Sequence, residues 1–109
     1  MTTAPGDETA FVAALLALYA DLPDTPLRPS PADQTLARRL FADAVPLQLI
    51  ESALLLGTLR RLIRPQGLPL LPKIRSLAYF LPVVQELQAQ PQPEGYLEYL
   101  RLKFRRLSA

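Results

Sequence analysis

Proline sets the outer limits of what this chain can fold into. Its twelve prolines fall mostly in clusters: Pro23, Pro26, Pro29 and Pro31, then Pro65, Pro69 and Pro72, then Pro91 and Pro93. Each removes a backbone donor and pushes the preceding residue out of the α region, so neither a helix nor a central strand runs through a cluster. Between clusters, apolar residues recur every three or four positions, the period of a helix face. No stretch alternates apolar and polar as a half-buried strand does, and no Asn-Gly or Asp-Gly pair marks a hairpin. The pattern predicts an all-α protein, a compact orthogonal bundle of about five helices, with residues 1–109 forming a single domain.

The helices can be placed one by one. Phe11, Leu15, Leu18 and Leu22 form one apolar stripe, which predicts a first helix from about Glu8 to Ala20 with Asp7 as its cap. Residues 1–7 are expected to be disordered, and residues 22–31 to form a stiff, Pro-rich connector. Ser30, Pro31 and Asp33 make a short version of a capping box, opening a second helix that runs to Ala44. Its inward residues are Leu36, Leu40 and Phe41; Arg38, Arg39 and Asp43 face out. The third helix, Pro46 to Arg64, is apolar nearly all round from Ala53 to Leu56, as a central helix is. Gly57 weakens it relative to Ala and marks a close approach of another helix. Arg60, Arg61 and Arg64 complement the dipole at its C-terminus. A fourth helix spans about Ile74 to Gln90, its apolar side formed by Ile74, Leu77, Leu81 and Val84 and widened by Phe80, Val83 and Leu87. Pro82 lies inside it and frees the carbonyl of Ala78, predicting a kink or an early break. The last helix, Gly95 to Leu107, buries Leu97, Leu100, Phe104 and Leu107.

The chemistry-bearing residues are few. There is no Cys, His or Trp. Without imidazole or thiol, the usual acid–base, nucleophilic and transition-metal arrangements are nearly empty. The four glycines are isolated, so no phosphate-cradling loop exists, and the carboxylates are scattered. Ser30, Ser52, Ser76 and Ser108 have no histidine to activate them. A non-enzymatic protein is expected, with no cofactor, no metal and no small-molecule substrate. The apolar stretch Phe11 to Leu22 is too short to span a bilayer, and the first charges, Asp7 and Glu8, do not make a signal peptide. No membrane partner and a cytoplasmic location follow as expectations.

Charge is the remaining lead. Residues 1–54 hold three basic and seven acidic side chains, a net of −4, whereas residues 55–109 hold nine basic and three acidic, a net of +6. Either the basic half meets an anionic partner, or the two halves neutralise one another in the fold or in a dimer. On the last helix, Tyr99, Lys103 and Arg106 are spaced i, i+4, i+7, away from the apolar stripe. Arg75 and Tyr79 repeat the i, i+4 pairing on the fourth helix. If the two faces adjoin, they make a basic-aromatic patch with Lys73, suited to phosphates and unpaired bases; otherwise they are a solvated face with half-covered tyrosines. The second and third helices could be read as a helix-turn-helix, but the would-be recognition helix exposes only Gln48, Glu51, Ser52 and Thr58 and has no early basic residue.

The order of a helix, then Val45-Pro46-Leu47-x-x-Ile50-x-x-Ala53, then a loop, then Ser76-Leu77-Ala78-Tyr79-Phe80 resembles the helical C-terminal domain of DnaD-like primosome proteins and of replication proteins from plasmids and mobile elements, over about residues 30–90. In that family a motif Tyr-x-x-x-Ile-x-x-x-Trp helps bind DNA. Its positions fall here on Tyr79, Val83 and Leu87, so only the tyrosine is kept, Leu87 stands in place of the tryptophan, and Pro82 is intruded. The resemblance implies a non-enzymatic accessory role in replication initiation or in a mobile element, through DNA and a replication protein. Lys73, Arg75, Tyr79, Tyr99, Lys103, Arg105 and Arg106 are the residues expected to hold single-stranded or distorted DNA, mainly by its backbone. The alternative is a protein-interaction module, self-associating or meeting an acidic partner through its basic end.

Overall fold

The computed structural model describes residues 5–108, with side chains from Asp7 onward. It contains α1 (Pro5–Ala20), α2 (Pro31–Ala42), α3 (Leu47–Leu62), a 3₁₀ turn (Leu77–Phe80), α4 (Leu81–Ala89) and α5 (Tyr96–Ser108), and no strand among the described residues. The all-α architecture expected from the sequence is what forms.

α1 begins three residues before the expected start, so Asp7 sits in its first turn beside Glu8 instead of capping it, where both carboxylates still favour the helix dipole. Residues 5–7 are helical, and residues 1–4 of the segment expected to be disordered lie outside the described residues. The end of α1 is sealed by Thr25, whose hydroxyl lies 2.7 Å from the carbonyl of Leu22 and 3.1 Å from that of Tyr19. Asp24, in the connector, adopts a positive φ of 65°, which a short polar side chain tolerates, and turns the chain back.

α2 opens as its sequence predicts. Ser30 accepts from the Asp33 N–H at 3.1 Å, and Asp33 accepts from the Ser30 N–H at 2.9 Å. The helix ends at Ala42, two residues short of expectation, because Ala44 turns into the left-handed region (φ 57°) and its N–H takes the Phe41 carbonyl while Val45 takes that of Leu40.

α3 is the central element, packing against α1, α4, α5 and the 3₁₀ turn. Ile50, Ala53, Leu54, Leu55 and Leu59 are buried in it. So are Ser52 and Thr58, which corrects the expectation that both are exposed. Gly57 does mark a close approach: a Cβ there would lie 2.8 Å from Cδ1 of Phe80.

The expected fourth helix is broken into three. Ile74 to Ser76 have no helical structure, Leu77–Phe80 form the 3₁₀ turn, and α4 starts only at Leu81. Pro82 is the cause. It cannot donate to Ala78, so that carbonyl accepts the Leu81 N–H instead and Pro82 falls in the first turn of α4, where a missing N–H costs nothing. Upstream, the second oxygen of Asp33 accepts the Leu77 N–H at 2.9 Å. The apolar set survives the break, for Ile74, Leu77, Phe80, Val84 and Leu87 are all buried.

The core is in two parts. The larger joins α1, α2, α3, the 3₁₀ turn and α4 around Leu15, Tyr19, Ile50, Leu54 and Phe80; the smaller, Leu55, Leu59 and Leu100, docks α5 on α3. Leu107, expected to be inward, is 47% exposed near the end of α5, beyond the reach of α3.

Candidate nucleic-acid interface

Five of the seven residues singled out in the sequence fall into two groups, Lys73 and Tyr79 around Arg61, and Tyr99, Lys103 and Arg106 on α5. The first centres on Tyr79, held on the 3₁₀ turn with its ring half-exposed and edge-on to Phe80 at 5.1 Å between centroids. The guanidinium of Arg61 lies over that ring, 5.4 Å from the centroid, and donates to the Tyr79 hydroxyl at 3.3 Å. Arg61 also donates to the carbonyl of Pro72 at 2.7 Å and stands 3.5 Å from Asp24 Oδ2. Lys73 lies beside this group, lining a cleft of about 280 Å³ with Arg61, Arg64, Thr58 and Asp24. Arg75 is exposed, but it precedes the 3₁₀ turn in a non-helical stretch, so the helical i, i+4 pairing expected with Tyr79 does not exist.

The second cluster rides on α5. Tyr99 is half-exposed, with Lys103 Nζ 5.7 Å from its ring centroid and 3.4 Å from its hydroxyl. The Tyr96 ring stacks beside it at 6.5 Å. Leu59, Arg60 and Ile63 of α3 line a groove with Tyr99 and Lys103. Arg105 and Arg106 are exposed and, among the described residues, have no carboxylate partner. The body of α3 separates the two clusters, so the single adjoining patch considered from the sequence resolves into two.

Several cations are spent on the fold. Arg101, from the basic run near the end of the chain, makes two 2.8 Å bonds to Glu51 of α3 and a third to Glu98. Arg60 holds Glu86 with bonds of 2.9 and 2.6 Å. The hydrogen bond from Arg60 lowers the pKa of the Glu86 carboxyl, and donating to Glu86 and Glu51 raises those of Arg60 and Arg101 respectively. Glu51 and Asp24 belong to the acidic half of the chain and Arg101 and Arg61 to the basic half, so part of the charge split is closed within the fold. Among the described residues, six of the nine second-half cations remain without a carboxylate: Arg64, Lys73, Arg75, Lys103, Arg105 and Arg106.

Other arrangements are missing. The larger cleft, about 430 Å³ between Pro46–Ser52 and Gln92–Glu98, carries Glu94 and Glu98 and no cation. No group of three or more potential metal-ligating side chains occurs among the described residues, and no helix there is long and apolar enough to cross a membrane. α3 is too enclosed to enter a DNA groove as a recognition helix. At the family-motif positions, Val83 is half-buried and Leu87 lies in the core, leaving Tyr79 alone at the surface. The sequence missed Arg61. Its position in the last turn of α3 fits the helix dipole equally well, and no local spacing announces its partners 11 and 18 residues away. No family model, curated protein or solved structure matches this chain.

Proposed function

We propose that this protein is a non-enzymatic accessory DNA-binding module that holds single-stranded or distorted DNA mainly by its backbone. One observation carries the reading. Among the described residues, six second-half cations are left without carboxylates after the fold's ion pairs are formed, while Glu94 is the one side-chain carboxylate of that half without a cation. Lys103 and Arg106 line a groove with half-exposed Tyr99, and Arg61, which lies over half-exposed Tyr79, shares its cleft with Arg64 and Lys73. Cations neutralise phosphates, and rings stack on bases without regard to sequence. The likeness of Val45–Ala53 and Ser76–Phe80 to DnaD-like domains adds replication initiation or a mobile element as the setting, and the cytoplasm as the place.

A salt titration with an oligo(dT) strand tests it. The log–log slope should be about −0.7 per phosphate contacted. Replacing both Lys103 and Arg106 with Glu should abolish binding with the helical spectrum unchanged. Equal, weak binding by both proteins at low salt rejects the proposal.

A second reading has its own observation. Leu62, Ile63, Leu68, Leu70, Leu71, Leu102 and Leu107 are substantially exposed in the same half of the chain. Bare leucines contribute nothing to phosphate contacts, and they suit a protein-interaction module, self-associating or bound to an acidic partner. Sedimentation showing a dimer that covers Tyr99 and Lys103 would favour it.

A further inference from the structure

The cleft lined by Thr58, Arg61, Arg64 and Lys73 is charged in an unusual way. The Arg61 side chain is only 9% exposed, the most covered of the ion-paired arginines, yet its carboxylate partner is the most distant. Arg60 and Arg101, at 51% and 41%, each have a carboxylate gripped through two bonds. A covered cation normally draws a close carboxylate of that kind. Arg61 has Asp24 at 3.5 Å, itself half in solvent, and otherwise only neutral groups: the Pro72 carbonyl, the Tyr79 hydroxyl and a ring face. Arg64 spends one bond on the Pro69 carbonyl, and Lys73 has no partner among the described residues. Thr58, one turn before Arg61, is 1% exposed, and its hydroxyl has no hydrogen-bond partner among the described residues. Buried hydroxyls are ordinarily satisfied.

We propose that this cleft is a phosphate-binding subsite, in which Arg61, Arg64 and Lys73 grip the oxygens of a phosphodiester or free phosphate group. The inference rests on the DNA-binding reading above and names where one backbone phosphate sits. Charge supports it. Three cations face one carboxylate, a side-chain balance of +2 that outweighs the roughly half negative charge of the α3 C-terminus. Space supports it too, since about 280 Å³ is several times the roughly 30 Å³ of one water. The fixed guanidinium of Arg61 loses little freedom on binding, which favours recognition of a small anion.

The test uses the full chain, inorganic pyrophosphate and an oligo(dT) strand. Arg64→Gln combined with Lys73→Gln removes two cations without touching the Arg61 anchorage. The unaltered protein should gain thermal stability from millimolar pyrophosphate, and the double variant should lose most of that gain. Its oligo(dT) salt slope should be shallower by about 0.7, the share of one single-strand phosphate contact. The Lys103→Glu, Arg106→Glu protein, altered only on α5, should keep its response to pyrophosphate. A pyrophosphate response that depends on Arg64 and Lys73, in a protein that does not bind oligo(dT), supports a site for free phosphate and removes the DNA reading. Oligo(dT) binding with the same slope in the cleft variant, and no pyrophosphate response, overturns the subsite and leaves the DNA reading standing on α5.

Discussion

Asp33 does two jobs with one carboxylate. One oxygen closes the capping box on Ser30, and the other takes the N–H of Leu77, 44 residues away, in a site where the aspartate is 2% exposed. The first job is written in the spacing Ser30-Pro31-Ala32-Asp33; the second is a contact that spacing cannot announce. Asp33→Ala should therefore cost more than an ordinary cap. The cap alone is worth about 1 kcal/mol, and a buried N–H left without an acceptor adds about 1–3 kcal/mol. Urea unfolding should show a loss of roughly 2–4 kcal/mol; a loss of only about 1 kcal/mol would mean that water replaces the bond to Leu77. Nearby, burial first and the charge of Asp33 second push the Tyr19 hydroxyl up to about 12. A phenol whose folded pKa lies above its unfolded value near 10 gives full stability below pH 10 and loses it as pH rises toward 12. The loss by pH 12 is about 2–3 kcal/mol at 1.36 kcal/mol per unit. Tyr19→Phe should flatten that alkaline decline. Because the hydroxyl has no partner among the described residues, the change should cost almost nothing at pH 7. An unchanged alkaline limb in the variant would assign the decline to another group.

At the scale of elements, the contest between helix propensity and packing is sharpest at Gly57. Alanine would favour α3 by about 1 kcal/mol. Its Cβ, however, would lie 2.8 and 2.9 Å from two ring atoms of Phe80, which is itself fully buried and cannot swing away. Overpacking of this kind costs about 1–3 kcal/mol, so Gly57→Ala should destabilise the protein by about 1 kcal/mol net. A double-mutant cycle with Phe80→Leu checks the cause: the alanine should become neutral or stabilising once the ring is gone. The sequence announced this contact because a glycine inside an apolar helix has few other uses. It also announced the capping box of α2 and the central place of α3, since each is written within one turn or one helix face. It lost the fourth helix at its start. Residues 74–80 keep a helical apolar period while their backbone is partly non-helical, because the Asp33 bond to Leu77 and the defect at Pro82 act against the period. The candidate site failed in the same place: Arg75 and Tyr79 were paired by a helix that never forms there. The pairing of Tyr99 with Lys103 survives because its whole basis lies within α5.

The molecule as a whole is a four-helix body with α5 leaning on one side. Its extents of 51 × 33 × 24 Å and radius of gyration of 14.4 Å exceed the value of about 13 Å expected for a ball of this length. α5 packs chiefly on α3, through Leu100 against Leu55 and Leu59, with Leu97 and Phe104 half-covered. The only ion pair joining α5 to another element, among the described residues, is Arg101 with Glu51. A partly exposed pair is worth about 0–1 kcal/mol, whereas truncating a buried leucine costs about 2–5 kcal/mol. Leu100 therefore governs the docking. α5 should open as a unit before the main core, so its amides should exchange with solvent faster than those of α3. Leu100→Ala should raise α5 exchange by a hundredfold or more, since about 2.8 kcal/mol corresponds to that factor at 1.4 kcal/mol per decade, while the amides of α1–α4 keep their protection. Arg101→Gln should move the same amides by less than tenfold. The consequence for binding differs from that of charge reversal: an undocked α5 keeps Lys103, Arg105 and Arg106, so Leu100→Ala should weaken oligo(dT) binding modestly and leave its salt slope nearly intact. If Leu100→Ala instead accelerates exchange evenly through α1–α5, then α5 is part of one cooperative core, and the division of this molecule into a body and a leaning basic helix is wrong.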